Sequence, residues 1–335
     1  MQDPLTARPA HTGRLRVLVL GATGTVGRAT VAALVGRGHE AVCVLRPRPP
    51  GQAPPALAPG AVRREAEVTC PRTLARDGLR GERFDALLSC MASRNGAEDD
   101  AWAIDYRAHS DALALARDAG IGHMVLLSAI CVQKPRLAFQ HAKRAFEAEL
   151  IASGVDYSIV RPTALFKSLS GQVERVRRGK RFLVFGDGAL TACKPISDAD
   201  LADYMVDCLE RVDRRNRVLP IGGPGPAITP RAQGEMLFDL IGRPPRFRHV
   251  PLALLDGIIA GLDLGGRLAP RLRARADFAR IGRYYATESM LVMDPQTGRY
   301  DADATPQTGR DTLRAHYARM LRGEAGDDRG AHAVF

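Results

Sequence analysis

Residues 15–46 read LRVLVLGATGTVGRATVAALVGRGHEAVCVLR, and their order decides the fold. Leu15–Leu20 is an apolar run stopped by Gly21, the pattern of a strand buried on both faces. Thr25–Arg37 has helical spacing and ends at Gly38, and Ala41–Leu45 is a second strand. Between the first strand and the helix lies Gly21-Ala22-Thr23-Gly24-Thr25-Val26-Gly27, a G-x-x-G-x-x-G turn. Glycine lets the chain turn tightly and approach a pyrophosphate, while the helix start offers free N–H groups and a positive dipole end.

The alternation continues outward. Phe84–Cys90, His123–Ser128 and Tyr157–Arg161 read as further strands, with helices at Arg107–Ala119 and Phe139–Ser153. Repeated strand-then-helix units imply an α/β fold: a doubly wound parallel sheet of the Rossmann type with right-handed crossovers. We expect this dinucleotide domain to span 14–162 and a smaller C-terminal substrate lobe 163–322, between tails at 1–13 and 323–335. Arg217–Ile221 is apolar enough to return to the main sheet. Arg46–Gly60 holds six prolines and reads as a surface loop.

Bulk properties narrow the partners. A net charge of +11 invites nucleic acid, but the arginines are scattered and carry no interleaved aromatic platform, so no nucleic-acid partner is expected. The six cysteines form no C-x-x-C pair, which argues against zinc or an iron–sulfur cluster and for buried thiols in a reducing compartment. Residues 1–13 lack the apolar stretch of a signal peptide, so a cytoplasmic location is expected. Val250–Leu264 is apolar but interrupted by Asp256 and Asp263, and is shorter than the roughly 20 residues that span a bilayer. Its spacing suits a core helix, a ligand entrance, or peripheral contact with a membrane surface.

The second strand ends at Arg46, where an enzyme using NAD usually places an acid for the ribose hydroxyls. A guanidinium there suits a 2′-phosphate, so the expected cofactor is NADPH, with Arg48 as a second candidate. Cys90, closing a later strand, is expected to line the same site.

The layout resembles the short-chain dehydrogenase/reductase superfamily, where a serine after the fifth strand and a Tyr-x-x-x-Lys on the next helix carry proton transfer. Ser128 and Lys143 occupy the corresponding places, but Phe139 stands where the tyrosine would be. Phenylalanine has no proton to give, which points to the atypical branch of that superfamily. The strings Arg161-Pro162-Thr163-Ala164-Leu165-Phe166-Lys167, Phe185-Gly186-Asp187-Gly188, Cys193-Lys194-Pro195-Ile196-Ser197 and Gly282-Arg283-Tyr284-Tyr285-Ala286-Thr287-Glu288 are similar to the divinyl chlorophyllide a 8-vinyl-reductase family, from about residue 15 to about 317.

The resemblance implies reduction of a vinyl group to ethyl on a magnesium tetrapyrrole. An alkene conjugated to a macrocycle accepts hydride at its end while negative charge spreads over the ring, so no tyrosine beside an alkoxide is needed. By resemblance Lys143 binds the nicotinamide ribose and Ser128 lines the nicotinamide site, these two being the catalytic candidates, while Pro162 and Thr163 contact the carboxamide. Phe166 and Tyr284 are candidate substrate walls; Lys167, Lys194 and Arg283 are candidate partners for the pigment carboxylate. Tyr284, Tyr285, Lys194 and Ser197 are open as proton donors. His141 and His249 need no ligating role, because the magnesium arrives inside the substrate, so no protein metal site is expected. Another alkene reductase of isoflavone-reductase type and a noncatalytic NADP-binding assembly factor remain alternatives, and oligomeric state is open. Arg46→Asp should weaken the preference for NADPH over NADH by about 1.5 to 3 kcal/mol, the range of a charge-assisted contact. Kinetics with both cofactors measure it, and equal rates in the wild type would remove Arg46 from the site.

Overall fold

A computed structural model describes residues 13–324 apart from 50, 54, 95, 96, 267 and 268. The expected tails fall outside that range except for residues 13, 323 and 324. The central sheet contains β1 (Arg16–Leu20), β2 (Glu40–Leu45), β3 (Val62–Glu65), β4 (Ala86–Ser89), β5 (His123–Leu127), β6 (Asp156–Pro162) and, after one strand outside it, β8 (Arg217–Ile221). Its order is β3-β2-β1-β4-β5-β6-β8, and every pairing is parallel. The chain winds one way from β1 to β3 and the other way from β4 to β8, which leaves a crevice at the carboxyl ends of β1 and β4.

Both faces are covered, which explains why the strands read as unbroken apolar runs. Val17, Val19, Ala41, Cys43, Leu88 and Val125 point to one side and pack with Val31 and Leu34 of helix Thr25–Gly36 and Leu201, Met205 and Leu209 of helix Asp198–Glu210. The alternate residues Leu18, Leu20, Val42, Leu87, Met124 and Ile159 meet Leu113, Ala116, Phe146 and Leu150 on the other side. Each fully buried leucine contributes about 1.5–3 kcal/mol relative to exposure.

A second core holds Phe166, Val173, Val176, Phe182, Leu237 and Tyr317. It is backed by a small parallel pair, β7 (Phe182–Phe185) and β9 (Phe247–Val250). The segment Thr305–Asp311 is strapped to the main body from two sides. Lys194 Nζ donates to the Thr305 carbonyl at 2.9 Å, and the buried Asp200 carboxylate accepts the Arg310 and Asp311 N–H groups at 3.2 and 2.9 Å.

Three elements differ from expectation. β3 lies in a stretch with no apolar alternation, because as an edge strand it needs only its backbone paired to β2. The helix expected from Arg107 begins earlier, with a turn at Glu98–Ala101 and a wide π-type segment at Trp102–Ala108 before His109–Asp118. Leu252–Gly266 is a helix but not a core helix: Leu254, Ile258 and Leu264 are 55%, 45% and 67% exposed. No helix among the described residues is long and apolar enough to cross a membrane.

Two buried histidines tie the sheet to its surroundings. His123 on β5 hydrogen-bonds Ser158 Oγ on β6 at 3.1 Å, and that hydroxyl donates onward to the Arg214 carbonyl at 2.9 Å. His109 lies between Ser89 Oγ and the Ile104 carbonyl, both at 2.8 Å. Burial pushes both imidazoles down to about 4, with nearby Arg215 and Lys143 acting in the same direction. An unfolded histidine titrates near 6.5, so the unfolded chain binds more protons between those values and stability falls as pH drops from 6.5 toward 4. Each histidine should cost on the order of 2–3 kcal/mol by pH 4.5. Thermal melts at pH 7, 5.5 and 4.5 should show the loss, and flat melting over that range would mean that neither ring is held neutral.

Candidate active site

Gly21 leaves β1 with φ +74°, and a Cβ there would lie 2.5 Å from the Cys90 carbonyl carbon and 2.6 Å from the Met91 nitrogen. Only glycine allows the turn to pass so close to the end of β4. At Gly27 a Cβ would overlap the Gly21 carbonyl oxygen, so the helix could not seat against the turn. Gly24 is different. A Cβ there would meet only the Gly21 oxygen, at an ordinary 3.6 Å, so nothing in the protein demands glycine. The space in front of Gly24 is open to the cavity. Gly24 is also the N-cap of helix Thr25–Gly36, which has no side-chain cap and no acid in its first turn, leaving its N–H groups and positive pole open to an anion.

One cavity of about 1460 Å³ starts at this turn. Gly21, Thr23, Gly24, Thr25, Val26 and Gly27 line its first part, together with Arg46 from the end of β2 and Cys90 from the end of β4. Ala22, also expected in the site, is buried and does not line the cavity. The middle is lined by Ser128, Phe139, Lys143, Pro162 and Thr163. Beyond them the walls are mainly apolar, with Leu169, Phe182, Phe185, Val250, Leu254 and Ile258, and two cations there, Lys167 and Arg175, have no ion-pair partner among the described residues. A pocket for a single ligand runs about 300–1,000 Å³, so this one has space for a dinucleotide and a second molecule.

Two hydroxyls test whether the first part suits a dinucleotide. Thr25 Oγ1 and Ser128 Oγ are buried, line the cavity and have no hydrogen-bond partner among the described residues. Buried polar atoms seldom go unpaired, so both fit a ligand that supplies the missing partners.

The middle of the cavity is braced from below. Lys143 Nζ pairs with Asp105 at 2.9 Å, and the same carboxylate oxygen accepts the Ser93 N–H at 3.3 Å. Asp105 is buried and comes from the π-type segment, whose extra residue per turn turns its side chain inward toward Lys143. One turn on, neutral His109 holds Ser89, whose hydroxyl accepts the Met91 N–H at 3.3 Å and so sets the loop under the glycine turn. Neither Asp105 nor this Ser89–His109 pair was expected from the sequence, since an isolated acid before a helix carries no motif. Thr163 donates its hydroxyl to the Lys194 carbonyl. Burial raises the Cys90 and Cys193 thiols to about 12, which keeps both protonated.

Several expected residues are placed elsewhere. Phe166 sits in the second core, its ring 5.3 Å from His316, because its neighbour Lys167 takes the cavity side. Lys194 is buried and committed to Thr305. Arg283 pairs with Asp256 at 2.7 Å and Thr287 at 3.0 Å, outside the cavity wall. Tyr284 is buried with its hydroxyl donating to the carbonyls of Cys131 and Lys134 at 3.1 and 3.0 Å, whereas adjacent Tyr285 lines the cavity. Ser197 caps the Asp198–Glu210 helix through the Asp200 N–H. Arg48 binds the Ala53 carbonyl, His249 binds that of Gly186, and His141 is exposed; none of the three lines the cavity.

Comparison with known proteins places this geometry. Residues 21–211 match the NAD(P)H-binding family. The chain is 48% identical to the chloroplastic divinyl chlorophyllide a 8-vinyl-reductase of Zea mays, over 99% of this chain and 86% of that protein. It is 46% identical to the Arabidopsis thaliana protein of the same name, over 94% and 79%. The chain belongs to the divinyl chlorophyllide a 8-vinyl-reductase family. Among solved structures it is similar to leucoanthocyanidin reductase from Vitis vinifera in a binary complex with NADPH, at 14% identity and a TM-score of 0.64, covering 92% of this chain and 99% of that one. At that identity the likeness shows the fold alone, a Rossmann-type NAD(P)H-binding reductase fold.

Within this reductase family the glycine turn separates two requirements that can be tested apart. Gly27→Ala should destabilise the fold by about 1–3 kcal/mol through overpacking. Gly24→Ala should change stability by no more than about 1 kcal/mol yet weaken dinucleotide binding at least about tenfold. Thermal melts beside a fluorescence titration with NADPH read both, and wild-type affinity in Gly24→Ala would separate this turn from cofactor binding.

Proposed function

We propose that this chain catalyses NADPH-dependent reduction of the 8-vinyl group of 3,8-divinyl chlorophyllide a, or its protochlorophyllide precursor, to an ethyl group. The observation that carries the proposal is the continuity of one cavity from the glycine turn, past Ser128 and Lys143, into an apolar chamber with Lys167 on its wall. A chlorophyllide is a broad flat ring with one carboxylate, and apolar walls that carry the cations Lys167 and Arg175 complement it.

The bound cofactor supplies hydride. The residues of this chain do the rest. The Thr25–Gly27 N–H groups and helix dipole receive the pyrophosphate, and Arg46 receives the 2′-phosphate that distinguishes NADPH from NADH. Lys143, held by Asp105, and Ser128, with its free hydroxyl, orient the ribose and nicotinamide end, and Pro162 and Thr163 close that end. Phe139 gives the nicotinamide region an apolar wall, which suits an alkene better than a carbonyl. Lys167 takes the pigment carboxylate in place of Lys194 and Arg283, whose charges are already engaged.

The exposed apolar side chains lie where a flat pigment would enter. Leu254, Ile258 and Phe278 line the cavity and are also exposed at 55%, 45% and 40%, the signature of a mouth. Peripheral contact between this mouth and a photosynthetic membrane surface belongs to the same reading. Purified protein with NADPH and 3,8-divinyl chlorophyllide a, followed by pigment chromatography, tests the activity, and an unreduced vinyl group would overturn it. Leu254→Ser with Ile258→Ser should leave the melting temperature within about 2 °C, because surface substitutions cost less than about 0.5 kcal/mol each, and should raise pigment KM several-fold. Unchanged KM and absence of liposome binding by the wild type would remove the mouth from substrate and membrane alike.

A further inference from the structure

Adding hydrogen across a C=C bond takes a proton as well as a hydride, and Phe139 cannot supply it. Several groups on the cavity wall carry a proton. Burial raises the Cys90 and Cys193 thiols to about 12, Lys143 is held by Asp105, and Thr163 is committed to the Lys194 carbonyl. Ser128 and Lys167 have the nicotinamide and carboxylate roles proposed above, and Tyr285 is the phenol among the described lining residues. It ends the Pro270–Tyr285 helix and packs in the cluster that also holds Phe139, Cys131, Ala164, Leu169 and Met290. Tyr285 and Phe139 thus pack against one cluster and line one cavity. Among the described residues its only hydrogen-bond acceptor is Cys131 Sγ at 3.9 Å, and sulfur is a weak acceptor. The neighbouring Tyr284 shows the contrast, with its hydroxyl spent on two carbonyls.

We propose that Tyr285 is the proton donor of the reduction, replacing from the C-terminal lobe the tyrosine absent at Phe139. This rests on the vinyl-reductase reading above. Hydride adds to the terminal vinyl carbon, the π bond breaks, and its electron pair moves onto the inner carbon and into the macrocycle. The O–H bond of Tyr285 then breaks as a C–H bond forms at the inner carbon, and the phenolate recovers a proton from water. Burial raises this phenol well above its usual range, so it stays protonated at neutral pH until a carbanion meets it.

The test is Tyr285→Phe beside wild type, assayed with NADPH and divinyl pigment in D₂O. We expect unchanged melting temperature, unchanged NADPH affinity by fluorescence and unchanged pigment KM, with kcat down about 100-fold or more, the usual contribution of a positioned acid. The inner carbon becomes CHD, so its label carries a handedness. Wild type should place deuterium on one face, and residual product from Tyr285→Phe should carry it on both, because water then delivers from either side. A purely structural tyrosine would not move that signature. Tyr284→Phe is the control: it should lower the melting temperature while keeping single-face labelling. Wild-type kcat or single-face labelling in Tyr285→Phe overturns this proposal alone. Wild-type protein that leaves the pigment unreduced overturns the proposed function and this step with it.

Discussion

The close passage of the Gly21 backbone over Cys90 and Met91 is the constraint on which the rest of the site depends. Two parallel strands can end side by side with a ligand above them only if the chain leaving β1 turns without a side chain. The turn then needs the following helix seated on its carbonyl, which Gly27 permits, and an open apron in front, which Gly24 leaves. Each glycine answers a different neighbour: strand, helix and ligand. The loop after β4 must be held equally firmly, and the Ser89–His109 bond does so from a buried, neutral imidazole.

The Asp105–Lys143 pair shows how that frame reaches the chemistry. A buried ion pair is a weak source of stability, since desolvation of two charges offsets most of their attraction. Its value here is position. The lysine ammonium cannot swing out to solvent without leaving Asp105 buried and alone, and one carboxylate oxygen already has no partner. The π-type turn is the backbone cost of aiming that acid inward, and it displaces the start of the helix from where periodicity put it.

The first half of the fold was legible because its constraints are local. Apolar runs of strand length, glycine stops and an arginine closing the second strand carry their meaning within a few residues. The parallel, doubly wound character of the sheet and the return of Arg217–Ile221 to it followed from the same logic. The edge strand β3 was not legible, since pairing on one side asks little of Val62–Glu65. Of the expected site residues, the structure brings those of the turn other than Ala22, with Ser128 and Lys143, to one cavity, where residue type and position coincide. The structure places Phe166, Lys194 and Tyr284 off the cavity wall, each adjacent in sequence to a residue that lines it, and Arg283 two residues from Ile281 and Tyr285, which do. A one-residue step along a helix rotates a side chain by about 100°, and family strings do not say which neighbour turns inward.

Leu252–Gly266 exposes a deeper ambiguity in reading apolar helices. Periodicity reports that a face avoids water, and says nothing about what covers it. A core helix is covered by the protein at all times; a helix at the mouth of a pocket for a flat pigment is covered only when the pigment is there. The charges separate the two cases. Asp256 and Asp263, which interrupt the apolar run, pair with Arg283 and Arg280 of the next helix at 2.7 and 2.6 Å. The two helices therefore brace each other as a hairpin and leave Leu254 and Ile258 free for the cavity. An aspartate inside an apolar helix, answered by an arginine at matching spacing in the following helix, thus points to a paired hairpin over a site rather than to a buried core. That same hairpin ends at Tyr285, which packs against the cluster that also holds Phe139.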